Sequence, residues 1–145
     1  MSSSKGQILL IRCELYLLVD LNFIFDVMSK KQEVKKPSLD KAAVSRIMRT
    51  LPRNEGFHFY KGPGESTGKV ATGQADMAEK VRIVDIRSIN YHFKRREFEK
   101  WVRDNLGDVE LSRRFGRIDR ETHGEKLRNE IVTLIKARLE ELKDI

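Results

Sequence analysis

The chain has 145 residues, 39% of them hydrophobic and 35% charged; that is about one domain's worth of sequence, too apolar for a disordered protein and too polar for one embedded in a membrane. Its 29 basic and 22 acidic residues leave a formal charge of +7, which favours a partner rich in phosphate or carboxylate groups. The lone Cys13 cannot form an internal disulfide and points to a reducing, cytoplasmic setting, while abundant Lys, Arg and Glu beside scarce Asn and Gln are the balance expected of a thermophilic source, archaeal ones included.

Ile8 to Val27 is almost continuously apolar but carries Arg12, Glu14, Asp20 and Asp26. Four charges are too costly for a span of about 20 residues. Only Lys5 precedes the segment and no small-residue cleavage site follows it, which argues against a signal peptide. Two readings stay open: an element packed on the core, or translation from an upstream start codon, the natural chain beginning at Met28. Residues 1–27 are therefore set apart as an apolar extension, 28–36 as a basic arm, and 37–145 as a single α+β domain. In the arm, Lys30, Lys31, Lys35 and Lys36 make a charged, aperiodic run that Pro37 closes. Residues 28–56 hold eight basic side chains against three acidic ones, so five of the seven excess charges sit there.

A helix is expected from Ser38, with Leu39, Ala43, Ile47 and Leu51 on its apolar stripe and Arg46 and Arg49 off it, until Pro52 stops the run just before Arg53. Gly56 to Tyr60 alternates Phe57 and Phe59 against His58 and Tyr60, the pattern of a strand that buries one face. The loop "KGPGESTGKV" resembles a phosphate cradle only superficially. Pro63 stands where the first glycine is required, Val70 replaces the hydroxyl residue, and proline has no N–H to offer a phosphate. A turn-rich connection is the expectation. A short helix over 72–84 would turn Ala75, Met77, Ala78 and Val81 inward. The alternation of Ile89, Tyr91 and Phe93 against Ser88, Asn90 and His92 then reads as a strand over 86–93. "KRREFEKWVRDNLGD" makes an amphipathic helix with Phe98, Trp101, Val102 and Leu106 inward and Gly107 as its C-terminal cap. Asp108 caps a further turn or two carrying Leu111 and Phe115. Last comes a long helix over 122–142 with Leu127, Ile131, Leu134, Ile135, Leu139 and Leu142 in a narrow stripe, suited to packing on the domain or to pairing with a second copy. The fold class is thus α+β: a small sheet of two to four short strands packed by four or five helices, the last one long.

Three stretches, "FHFY" with "GESTGKVAT" behind it, "VDIRSINYHFKRREFEKWVRDNLGD", and "ELSRR", resemble an uncharacterised family of small archaeal proteins over about residues 56–116. In that pattern a strand ending in histidine is followed by arginine and then by Phe and Trp three apart on a helix, the places of His92, Arg95 or Arg96, Phe98 and Trp101. The sequence departs from it at "GQADMAEK", where Ser-Leu and an acidic-Phe pair belong. The resemblance implies no activity.

No nucleophile lies at a diagnostic spacing from His92, and His58, His92 and His123 have no Cys or His at ligand spacing, so neither catalysis nor a metal or other cofactor is expected. Glu97 with Lys100 and Glu99 with Arg103 are expected surface ion pairs. What remains is the clustered charge. Lys30, Lys31, Lys35, Lys36, Arg46, Arg49 and Arg53, and a second group of Arg95, Arg96, Arg113, Arg114, Arg117 and Arg120, are the candidate contacts to phosphate. No base-reading motif is present, so RNA or a ribosomal subunit is expected rather than a DNA operator. A homodimer through residues 122–142 could bridge two copies of the RNA. The alternative is a dimeric regulatory module that recognises an acidic protein, with its basic surface an ordinary solvated face. The C-terminal helix, neutral from Glu125 on, is left out of the basic surface.

Overall fold

The computed structural model describes residues 39–145, which form one compact unit. The expectations for residues 1–27 and for Lys30, Lys31, Lys35 and Lys36 lie outside it. Asp40 accepts the Ala43 N–H at 2.8 Å and so starts α1, Lys41–Ile47, two residues later than Ser38. The helix ends at Ile47; Leu51 reaches the core from an extended segment whose N–H donates to the Thr72 carbonyl. After the single 3-10 turn Arg53–Glu55, β1, Phe57–Tyr60, buries Phe57 and Phe59 and exposes His58 and Tyr60, as the alternation requires.

The turn-rich connection proves to be half strand. β2, Ser66–Ala71, runs antiparallel to β1, with Phe57 opposite Ala71, His58 opposite Val70 and Tyr60 opposite Ser66. Thr67, Gly68 and Lys69 therefore bulge opposite Phe59, and Gly68 adopts a φ of 79° that favours glycine. The hydroxyls of Ser66 and Thr67 are used within the bulge. Thr67 Oγ1 donates to the Phe59 carbonyl at 2.8 Å and accepts the Lys69 N–H, and Ser66 Oγ accepts the Gly68 N–H.

α2, Gln74–Ile83, buries Met77, Ala78 and Val81 as expected, but the polar Gln74 goes inward and Ala75 lies outside. The larger correction is at 86–93, which is a helix: α3 spans Ile86–Lys94. Asp85 accepts the Arg87 N–H at 2.9 Å, a cap that favours helix from the next residue on. Ser88, Ile89, His92 and Phe93 then share the buried face, so the two sets that alternation kept apart are mixed. The period-2 pattern was real, but Ile86, Ile89 and Phe93 also satisfy helical spacing, and eight residues are too few to separate the two. Arg96, in the left-handed region at φ 57°, turns the chain into α4, Glu97–Asp104. α5, Val109–Gly116, follows Gly107, φ 77°, and α6, Gly124–Lys143, packs on α2, α3 and α5.

The core is aromatic on the hairpin side. Phe57 meets Phe59, His92 and Phe98 with ring centroids 4.7–5.0 Å apart and Trp101 at 5.9 Å. The Trp101 indole N–H donates to the Glu55 carbonyl at 3.0 Å, tying α4 to the turn before β1. On the α6 side the core is aliphatic except for one charged pair. Arg138 Nε donates to both oxygens of Asp108 at 3.1 Å, and Asp108, fully buried, also accepts from Gln74 at 2.8 Å and from the Leu111 N–H at 3.2 Å. Of the two uses open to the stripe, packing on the domain is seen: Leu127, Ile131, Ile135 and Leu142 are buried, and Leu134 and Leu139 partly so.

Removing one member of a buried ion pair strands the other charge, at a cost of about 3–5 kcal/mol. Asp108→Ala is therefore expected to lower stability by about that amount. Asp108→Leu with Arg138→Met is expected to lose clearly less, because no charge is left unpaired. Urea unfolding of the three proteins measures both; an Asp108→Ala midpoint equal to that of the parent contradicts the role given to the pair.

Candidate nucleic-acid interface

An arginine contacts phosphate only if its guanidinium is not already held by a carboxylate. By that criterion the second basic cluster divides. Arg95 Nε donates to Glu97 at 2.7 Å and its guanidinium lies 5.3 Å from the Tyr91 ring. Arg113 and Arg114 share Glu110, and Arg114 also donates to Glu141 at 2.9 Å. Arg120 donates to Glu99 at 3.2 Å and to the Phe93 carbonyl at 2.5 Å while lying over the Phe93 ring at 4.1 Å. Arg96 reaches Glu99 only at 3.5 Å. Glu97 and Glu99 thus pair with arginines at helix ends and across the fold, and not with Lys100 and Arg103 as their spacing suggested. Arg117 is the member of this cluster with no ion pair among the described residues. In the first cluster, Arg49 donates to the Arg46 and Asn105 carbonyls, a brace between α1 and the end of α4. Arg46 and Arg53 are exposed and make no ion pair among the described residues.

Arg117 opens onto a groove of about 690 Å³ between the end of α5 and the outer face of α6. Arg114, Arg117 and Ile118 form one wall; Lys126, Asn129, Glu130, Thr133 and Leu134, spaced by three and four residues, form the other. Neither Lys126 nor Glu130 has an ion-pair partner among the described residues. Sequence reasoning missed this wall because α6 is neutral as a whole. A net charge averages over the faces of a helix, and the i, i+4, i+7 spacing of Lys126, Glu130 and Thr133 was the signal that they share one. Arg114 is presented to the groove by a chain of pairs that begins inside the protein: Asp108 holds Arg138, Arg138 Nη1 donates to Glu141 at 3.2 Å, and Glu141 holds Arg114. These contacts keep the Glu110 and Glu141 carboxyls below the usual range, chiefly through the hydrogen bonds from Arg113 and from Arg114.

The motif residues lie elsewhere. Phe98 and Trp101 are buried core, and His92, 2% exposed, is enclosed by Phe57, Phe59, Tyr60, Tyr91 and Phe98. The strand reading put His92 on a polar face away from the aromatic one; the helix turns it into the aromatic core. Its Nε2 accepts the Tyr60 N–H at 2.8 Å, which makes the ring neutral with its proton on Nδ1, 3.4 Å from Glu97 and without hydrogen-bond geometry. Burial pushes the imidazole pKa down, Glu97 partly opposes this, and Arg95 adds to the depression. Among the described residues no group of three or more His, Cys, Asp or Glu side chains could hold a metal ion, and no helix is long and apolar enough to cross a membrane.

The fold and its surface define the class: among the described residues, an α+β domain with a two-stranded hairpin, six helices and a groove lined by Arg114, Arg117 and Lys126 beside the last of them. No protein-family model matches the chain, and comparison with curated proteins and with solved structures gives no match.

The His92 geometry predicts a pH dependence of stability. A histidine kept neutral in the folded protein takes up a proton more readily when unfolded, so its contribution is fully present above the ordinary imidazole pKa of about 6.5 and is lost as pH falls from there toward the depressed folded value. Thermal unfolding between pH 7 and pH 5 is expected to show a falling midpoint. His92→Gln, which retains an acceptor for Tyr60, is expected to flatten that slope; an unchanged slope assigns it to other groups.

Proposed function

We propose that the protein is a non-catalytic nucleic-acid-binding domain, RNA- or ribosome-associated, that grips phosphates with exposed cations lacking carboxylate partners. The observation that carries this reading is the groove between α5 and α6, where Arg117 and Lys126, neither of them ion-paired among the described residues, line the walls with Glu130, while Arg114 is already held by Glu110 and Glu141. Arg46 and Arg53 add exposed charge, and the Lys30 to Lys36 arm supplies four more cations in the sequence. Unpaired cations gain affinity by releasing the counterions of a phosphate backbone, whereas an arginine held by a carboxylate must first lose that partner. Arg95, Arg113 and Arg120 therefore serve mainly to hold helix ends, and Arg46, Arg53 and Arg117 are the contacts. RNA is favoured over duplex DNA because none of the short helices is framed as a reader of the major groove.

Binding of a structured RNA is expected to weaken tenfold or more between 50 and 200 mM salt, and Arg46→Ala, Arg53→Ala and Arg117→Ala together to reduce the salt slope by about two while the fold is kept. A flat salt dependence, or an unchanged slope in the triple variant, overturns the reading. A gradient of native lysate shows whether the protein travels with ribosomal subunits.

A further inference from the structure

The groove holds more than charge. Its about 690 Å³ falls within the range of small-ligand sites, about 300–1,000 Å³. Its lining is ordered by chemistry. Two exposed cations, Arg117 and Lys126, stand on opposite walls; the buried Ile118 and half-buried Leu134 supply apolar surface; Asn129 and Glu130 lie on the α6 wall, their hydrogen-bonding groups unused by any partner among the described residues. We propose that this groove is a seat for one unstacked nucleotide, its phosphate held between Arg117 and Lys126, its base lying on Ile118 and Leu134, and the base edge read by Asn129 and Glu130.

Each part follows from the donors and acceptors present. A phosphate is held best by cations from more than one element, and Arg117, on the segment after α5, and Lys126, on the first turn of α6, line the groove from two. The amide of Asn129 offers both a donor and an acceptor, the pairing that suits adenine, and the Glu130 carboxylate accepts from an exocyclic amino group, so amino-bearing bases are favoured over uracil. A carboxylate inside a cationic groove would weaken simple anion capture, which is why Glu130 points to a ligand with donors of its own. For a nucleotide within a strand the proposal rests on the nucleic-acid reading above; the same chemistry would take a free nucleoside monophosphate.

The test uses the full chain with adenosine, cytidine and uridine 5′-monophosphates, inorganic phosphate, and six-nucleotide single strands of A, C and U, followed by calorimetry and by NMR of the Asn129 side-chain amide. The expected result is binding of the A and C hexamers above U, a shift of the Asn129 amide, a tenfold or greater loss with Arg117→Ala/Lys126→Ala, and loss of base ranking, with overall salt dependence kept, in Asn129→Ala/Glu130→Gln. All four side chains are on the surface, and circular dichroism confirms that the variants fold. If hexamers bind with a steep salt slope but Asn129 does not shift and Arg117→Ala/Lys126→Ala changes nothing, the seat is overturned while the nucleic-acid reading stands. If monophosphates shift Asn129 and hexamers fail to bind, the seat stands and the polymer reading falls. Inorganic phosphate binding as tightly as the nucleotides overturns base recognition.

Discussion

A carboxylate with no solvent exposure, placed where four chain segments meet, constrains everything around it. Arg138, Gln74 and the Leu111 N–H all donate to Asp108 and so satisfy its buried carboxylate oxygens. Those three contacts set the first turn of α5, the rotation of α6 about its own axis, and the depth to which α2 inserts. A one-residue slip of α6 would turn Arg138 about 100° away and leave the carboxylate bare, so the pair specifies register in a way that the aliphatic stripe, tolerant of small rotations, does not.

The same pair reaches the surface. Arg138 bridges to Glu141, and Glu141 with Glu110 fixes the guanidinium of Arg114 at the wall of the groove. A groove wall fixed from the core loses little freedom when a ligand arrives, and Arg117 and Lys126, exposed and without an ion pair among the described residues, stand beside it. The groove therefore offers two cations without an ion pair among the described residues beside an arginine whose charge Glu110 and Glu141 already balance.

The arginine-rich second half shows why a count of charges is not a surface potential. Arg95, Arg113, Arg114 and Arg120 all bond carboxylates, and Arg120 in addition lies on Phe93 and satisfies a helix-end carbonyl. Their charge is largely neutralised at short range, and what extends into solvent comes from the few cations left over.

Much of the architecture was legible in the sequence because it depends on near neighbours. The alternation of Phe57 to Tyr60, the cap at Asp108, the glycine stop at Gly107, and the inward Phe98, Trp101, Leu127, Ile131 and Ile135 follow from periods of two and 3.6 and from local hydrogen bonds, and the structure has each of them. Where two periods fit the same residues, as at 86–93, the neighbouring cap decided, and Asp85 was the overlooked sign. The buried Asp108–Arg138 pair and the aromatic enclosure of His92 depend on contacts 30 or more residues apart, and the bulge of β2, the partners of Arg114 and Arg120 and the groove depend on how separate elements pack. Outside 86–93, the sequence by itself determined which segments are helices of one buried face, and throughout it determined how much charge they carry; only tertiary packing decided which of those charges meet one another and which are left facing solvent, because electrostatic pairing is set by distance in space and not by distance along the chain.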